Sequence, residues 1–132
     1  MIRNPEQILP SLFAALDDHR FEDLSSFYSE TVEAETVLGH LSGSSQVIAA
    51  LQSIHESIPT LQHLISGVVV DVDGDSGTMR ANLVAVFCDA EHRPQYEGAS
   101  VWRGSVKRSE GSWRITEFTM KSVWSRGTPP TL

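Results

Sequence analysis

Hydrophobic positions recur about every 3.6 residues in the first half of the chain and every second residue in the last half. The longest regular stretch is Tyr96 to Gly127. There Ala99, Val101, Arg103 and Ser105 alternate with Ser100, Trp102, Gly104 and Val106; beyond Ser109-Glu110-Gly111-Ser112, Trp113, Ile115 and Glu117 alternate with Arg114, Thr116 and Phe118. Alternation this long, rich in β-branched and aromatic residues and broken at a Gly-containing turn, predicts a long antiparallel hairpin. If Ser109 faces Ser112, unbroken pairing sets Trp102 opposite Thr119 and Ser100 opposite Lys121. One face then carries Ser100, Trp102, Thr119 and Lys121, and a more apolar face carries Val101, Phe118, Met120 and Trp124. In that register Trp102, Phe118 and Met120 cannot all face one cavity. A two-stranded ribbon is marginal in water, so the rest of the chain must add strands and a helical cover.

Asn4-Pro5-Glu6-Gln7 reads as a helix opening: Asn4 caps, Pro5 suits the first helical position, and Gln7 stands where a capping box wants it. Ile8, Leu9, Leu12, Phe13 and Leu16 form one stripe, bent early by Pro10 and ending near Asp18. A shorter helix fits Phe21 to Tyr28, with Tyr28 either packing that helix or reaching a pocket. Thr31 to Leu38 reads as a short strand with acids at alternate positions, and Gly39 to Ser45 as a loop whose serines cap a third helix, Gln46 to Ser57. Val47, Ile48, Leu51 and Ile54 give that helix its buried side, and Ile58-Pro59 ends it. From Leu61 the pattern is extended, through a turn at Gly74-Asp75-Ser76-Gly77 to Asp89, a second hairpin; Ala90 to Pro94 is a loop and Thr128 to Leu132 a tail. Helices followed by long strands predict an α+β fold, a cone-shaped, curved antiparallel sheet wrapped around about three N-terminal helices.

At 132 residues and 40% apolar content the chain has room for one domain, residues 1–132, with a core that needs neither disulfides nor metal. Its one cysteine, Cys88, lies in an apolar run and reads as a small buried hydrophobe, in keeping with a reducing cytosol. No apolar run reaches the roughly 18 residues of a membrane span, so a soluble, cytoplasmic protein without a membrane partner is expected. The net charge of −7 is uneven: residues 1–91 hold 14 acids and 3 bases, residues 92–132 hold 3 acids and 7 bases. Arg103, Lys107, Arg108, Arg114, Lys121 and Arg126 lie on the terminal hairpin, whose exposed positions can meet an acidic surface, including that of a second copy. The acidic balance argues against a nucleic-acid partner.

Asp71, Asp73 and Asp75 imitate the start of a calcium loop, but Ser76 and Asn82 stand where such a loop needs glycine and glutamate, so a solvated hairpin tip is expected. His19, His40, His55, His63 and His92 show no ligand spacing, and no phosphate loop, nucleophile elbow or dinucleotide fingerprint occurs. These readings leave a pocket with no metal and no cofactor.

The order of elements, with Ala15-Leu16-Asp17, Phe21-Glu22-Asp23-Leu24, Gly43, Leu61-Gln62-His63-Leu64-Ile65, Val70-Asp71-Val72-Asp73-Gly74-Asp75 and Glu110-Gly111-Ser112-Trp113-Arg114-Ile115, resembles the SnoaL-like branch of the nuclear transport factor 2-like superfamily. The resemblance covers nearly the whole chain and implies a cone with a pocket between helices and sheet. Members include dehydratases, isomerases, epoxide hydrolases and polyketide cyclases, so the fold alone does not name a reaction. By resemblance to the scytalone dehydratases of this superfamily, Asp17 and His63 match an aspartate ending the first helix and a pocket histidine. Ser100 is retained, whereas Leu16, Thr36 and Trp102 replace two tyrosines and an asparagine.

An Asp-His pair in an apolar cavity is an acid/base device, because the carboxylate orients the imidazole and holds its charged form. Of Asp17 and Asp18 only one can point inward. The expectation is a cofactor-independent lyase or isomerase acting on a small apolar cyclic or polyketide-like molecule, with Asp17 and His63 moving the proton. Tyr28, Tyr96, Ser100, Trp102, Phe118 and Met120 are the substrate-binding candidates. The alternative is a non-catalytic ligand-binding or dimerisation module. The exposed face of a long sheet also leads us to expect a homodimer through the strands.

Overall fold

The computed structural model describes residues 2–130. Asn4 is extended and leads into a 3₁₀ turn, Pro5–Gln7, and then α1, Ile8–Asp17. Neither Asn4 nor Gln7 caps through its side chain, so the expected capping box does not form. Pro10 falls in the first turn of α1, where its missing N–H costs no helical bond, and the helix continues through it. The stripe Ile8, Leu9, Leu12, Phe13 and Leu16 is buried as expected.

The second helix is a 3₁₀ segment, Phe21–Ser26, and stops before Tyr28. Tyr28 opens β1, Tyr28–Thr36, because it pairs with Ile115 far along the chain. Gly39 to Ser42 is not loop but β2, Gly39–Ser42, an edge strand folded back on β1. Gly43, at φ +85°, then turns the chain into α2, Ser44–His55, and no serine side chain caps it.

Four long strands follow: β3, Thr60–Asp73; β4, Ser76–Cys88; β5, Pro94–Ser109; and β6, Ser112–Gly127. They form one sheet in the order β2-β1-β6-β5-β4-β3, antiparallel except where β1 meets β6. The β3–β4 turn is the two residues Gly74-Asp75, tighter than the sequence indicated. At its tip Asp75 binds Arg108 at 2.6 Å. Cys88, at the end of β4, is half-buried rather than buried.

The terminal hairpin turns at Glu110-Gly111, both with positive φ, and Ser109 faces Ser112 as expected. The unbroken register does not continue. Val106 pairs with Ile115 but Ser105 pairs with Glu117, so Thr116 has no partner on β5 and forms a bulge. One extra residue reverses which side chains share a face. Trp102 therefore pairs with Met120 and Gly104 with Phe118, while Val101 pairs with Lys121 on the other side. Trp102, Phe118 and Met120 all point toward the helices, which corrects the two faces derived from simple alternation. A second shift skips Val123, so that Ala99 pairs with Trp124, which is exposed.

The core lies between the helices and the concave face, from Leu12, Leu16 and Leu24 to Val32, Met79, Leu83, Trp102, Ile115 and Phe118. The outer face is apolar along the row Leu64, Val84, Ala99, Trp124, with Leu64 and Trp124 exposed, and polar at its other end. One row across it reads His40, Glu35, Thr119, Arg103, Arg80, Val69, and the next Ser42, Glu33, Glu117, Ser105, Thr78, Asp71.

Candidate active site

α1 ends in a Schellman arrangement: Arg20 N–H donates to Ala15 O at 2.8 Å and His19 N–H to Leu16 O at 3.1 Å. His19 holds the left-handed position usually given to glycine, at φ +54°. This sharp stop sends Asp17 and Asp18 apart. Asp18 stays exposed beside Arg20, whereas the side chain of Asp17 is turned toward β3 and keeps 22% of its exposure.

There it meets His63 twice. The backbone N–H of His63 donates to both carboxylate oxygens at 3.0 and 3.1 Å, and Nδ1 lies 2.5 Å from Asp17 Oδ1. Because β3 is a sheet edge, that N–H has no strand to pair with, and the carboxylate supplies its acceptor. The same carboxylate fixes the ring. With Nδ1–H given to Asp17, the lone pair of neutral His63 resides on Nε2. The ring packs between Phe13, 4.9 Å away between centroids, and His55, 5.4 Å away, and its side chain is only 3% exposed.

His63 borders a cavity of about 270 Å³ between α1, α2 and the sheet. Every substrate-binding candidate lines it: Tyr28, Tyr96, Ser100, Trp102, Phe118 and Met120. Trp102 stacks on Phe118 at 5.5 Å, and Phe118 in turn meets Tyr28 at 5.9 Å. Burial pushes the Tyr28 phenol above its ordinary pKa, which keeps it a neutral donor. Tyr96 packs against Phe87 at 5.9 Å, and Ser100 pairs with Ser122, which also borders the cavity. Leu16 and Thr36 belong to the wall as well. Val37 and Leu38 at the β1–β2 turn and Pro129-Pro130 of the tail form an apolar rim. A larger groove of about 580 Å³ crosses the outer face, away from Asp17 and His63.

Sequence reasoning missed His55. It lies on the inner side of α2, one turn beyond Leu51, and Nδ1 is 2.6 Å from the Leu51 carbonyl oxygen. Burial lowers its pKa to about 4, in spite of that hydrogen bond, which favours the charged form; neighbouring His63 lowers it further. The spacing Val47, Leu51, His55 was the available signal.

The SnoaL-like domain family matches residues 6–119. The chain belongs to the SnoaL-like family. This SnoaL-like chain shares its fold with a candidate scytalone dehydratase from Novosphingobium aromaticivorans, at TM-score 0.83 and 16% identity over 96% of this chain and 86% of that one. It is similar also to the hexachlorocyclohexane dehydrochlorinase LinA-type3 of Novosphingobium barchaimii, at TM-score 0.77 and 13% identity over 95% and 86% of the two chains. A protein of unknown function with a cystatin-like fold from Nostoc punctiforme superimposes at TM-score 0.75 with 14% identity, over 93% and 96%. Identities this low speak for the α+β cone alone. No curated protein matches the sequence. Among the described residues no helix is long and apolar enough to cross a membrane.

Proposed function

We propose that this SnoaL-like protein is a cofactor-independent lyase or isomerase that moves a proton on a small, largely apolar cyclic or polyketide-like molecule, with His63 as base and Asp17 as its orienting partner. The observation that carries this reading is the 2.5 Å contact between Asp17 Oδ1 and His63 Nδ1 at the wall of an apolar cavity. It leaves Nε2 as the basic atom and sets a carboxylate where the imidazolium charge develops.

In the lyase form, His63 Nε2 takes a proton from carbon next to an activating group. The C–H electron pair becomes the new C=C bond as a hydroxyl leaves the adjacent carbon with its own pair. The imidazolium then returns the proton to the departing oxygen, so water is released and His63 is neutral again. Returning the proton to a different carbon gives an isomerase instead. Two solved relatives carry the names of a dehydratase and a dehydrochlorinase, and both names denote elimination.

Turnover of cyclic ketones, hydroxylated aromatics and epoxides tests the reading. On a substrate so found, His63→Ala should lower the rate about 10²- to 10⁴-fold, the range for loss of a positioned base. Asp17→Asn should also lower it. Full turnover in both variants would remove the pair from the chemistry. Tight binding of an apolar ligand that is returned unchanged would make the protein a binding module.

A further inference from the structure

His55 faces the cavity without a part in the proton transfer. Its Nδ1 stands 2.6 Å from the Leu51 carbonyl oxygen, an atom that only accepts, so Nδ1 carries the ring hydrogen. The residue is 5% exposed and wedged between the edge of Phe87, 5.7 Å away, and His63. A second proton there would be a buried charge beside the base that must itself become charged. The titratable groups around it are His63, Asp17 and His19, and the net result is a ring that stays neutral through the physiological range. A neutral ring protonated at Nδ1 has a lone pair, and no hydrogen, on Nε2.

We infer that His55 is a specificity-determining residue: a fixed hydrogen-bond acceptor that selects ligands bearing a hydroxyl or N–H close to the carbon served by His63. The hydroxyls of Tyr28, Tyr96 and Ser100 rotate and can either donate or accept, so they discriminate weakly. Nε2 of His55 cannot adapt. A carbonyl, ether or halogen set against it meets lone pair with lone pair, whereas a hydroxyl supplies the hydrogen that this acceptor lacks. Leucine would continue the stripe of Val47 and Leu51 and fill the same wall with apolar surface, so an imidazole here makes the wall selective. The substrate class becomes a hydroxylated ring rather than a bare ketone or hydrocarbon. This rests on the cavity being the substrate site.

The test compares 2-naphthol with 2-methoxynaphthalene, equal in their rings and different in the donor hydrogen, by calorimetry at pH 7.5. The wild-type protein should bind the naphthol at least about tenfold more tightly, the size of one buried hydrogen bond. His55→Phe should bring the two affinities within about threefold while keeping that for the ether. An undiminished preference in His55→Phe, or none in the wild type, overturns the role of His55 and leaves the cavity reading standing. Failure of both probes to bind the wild type overturns both. If His55→Phe does not fold, the ¹⁵N resonance of His55 Nε2 in the wild type decides. It must read as unprotonated at pH 7.5 and shift with 2-naphthol but not with the ether, and a protonated Nε2 overturns the inference.

Discussion

His55 ties stability to pH in a direction that follows from its burial. Its pKa is about 4 in the fold against 6.5 for the free side chain, so between those values the unfolded chain holds more protons. The contribution is whole above pH 6.5 and is lost as pH falls toward 4, by roughly 3 kcal/mol across the window. Denaturant unfolding at pH 7.5 and 4.5 should show a smaller acid loss in His55→Phe than in the wild type; equal losses would mean His55 is charged in the fold. The residue was readable in the sequence as the third member of a helical stripe, but a histidine there looks like any other stripe position until the Leu51 carbonyl is seen to fix its tautomer. Asp17 and His63 lie 46 positions apart. No periodicity joins them, and only the resemblance paired them before the fold did.

On β5 each large cavity aromatic stands two residues before a glycine, Tyr96 before Gly98 and Trp102 before Gly104, and its ring lies over the bare backbone. A Cβ at Gly104 would come within 2.5 Å of the Trp102 indole and 2.6 Å of the Glu117 carbonyl oxygen. Gly104→Ala should therefore cost about 1–3 kcal/mol, the range for overpacking, and move the Trp102 ring. Chemical denaturation and tryptophan emission check this, and an unchanged midpoint and spectrum would contradict it. The strands themselves were legible, because alternation and turn residues are local signals. Two features were not. The bulge at Thr116 leaves no mark, since threonine suits a regular strand equally well, yet it decides where Phe118 and Met120 point. β2 was hidden by its composition of glycine, histidine, leucine and serine, and it is a strand only because β1 offers it a partner.

For the whole molecule, the outer face joins an acidic half, Glu33, Glu35 and Glu117, to a basic half, Arg80 and Arg103. We propose a homodimer through this face, because a two-fold axis there can set each half against its opposite. Light scattering at micromolar concentration should give twice the chain mass of 14.5 kDa, less at high salt and less again in Arg103→Glu. A monomer mass at low salt would rule the dimer out. Asp17, finally, holds both the ring of His63 and the edge of the sheet. Losing it loosens the fold as well as the ring of His63. A chain with no use for a base at His63 would still gain from keeping this carboxylate, so the pair by itself records architecture before chemistry, and its loss without unfolding would mark a sheet edge that has found another acceptor.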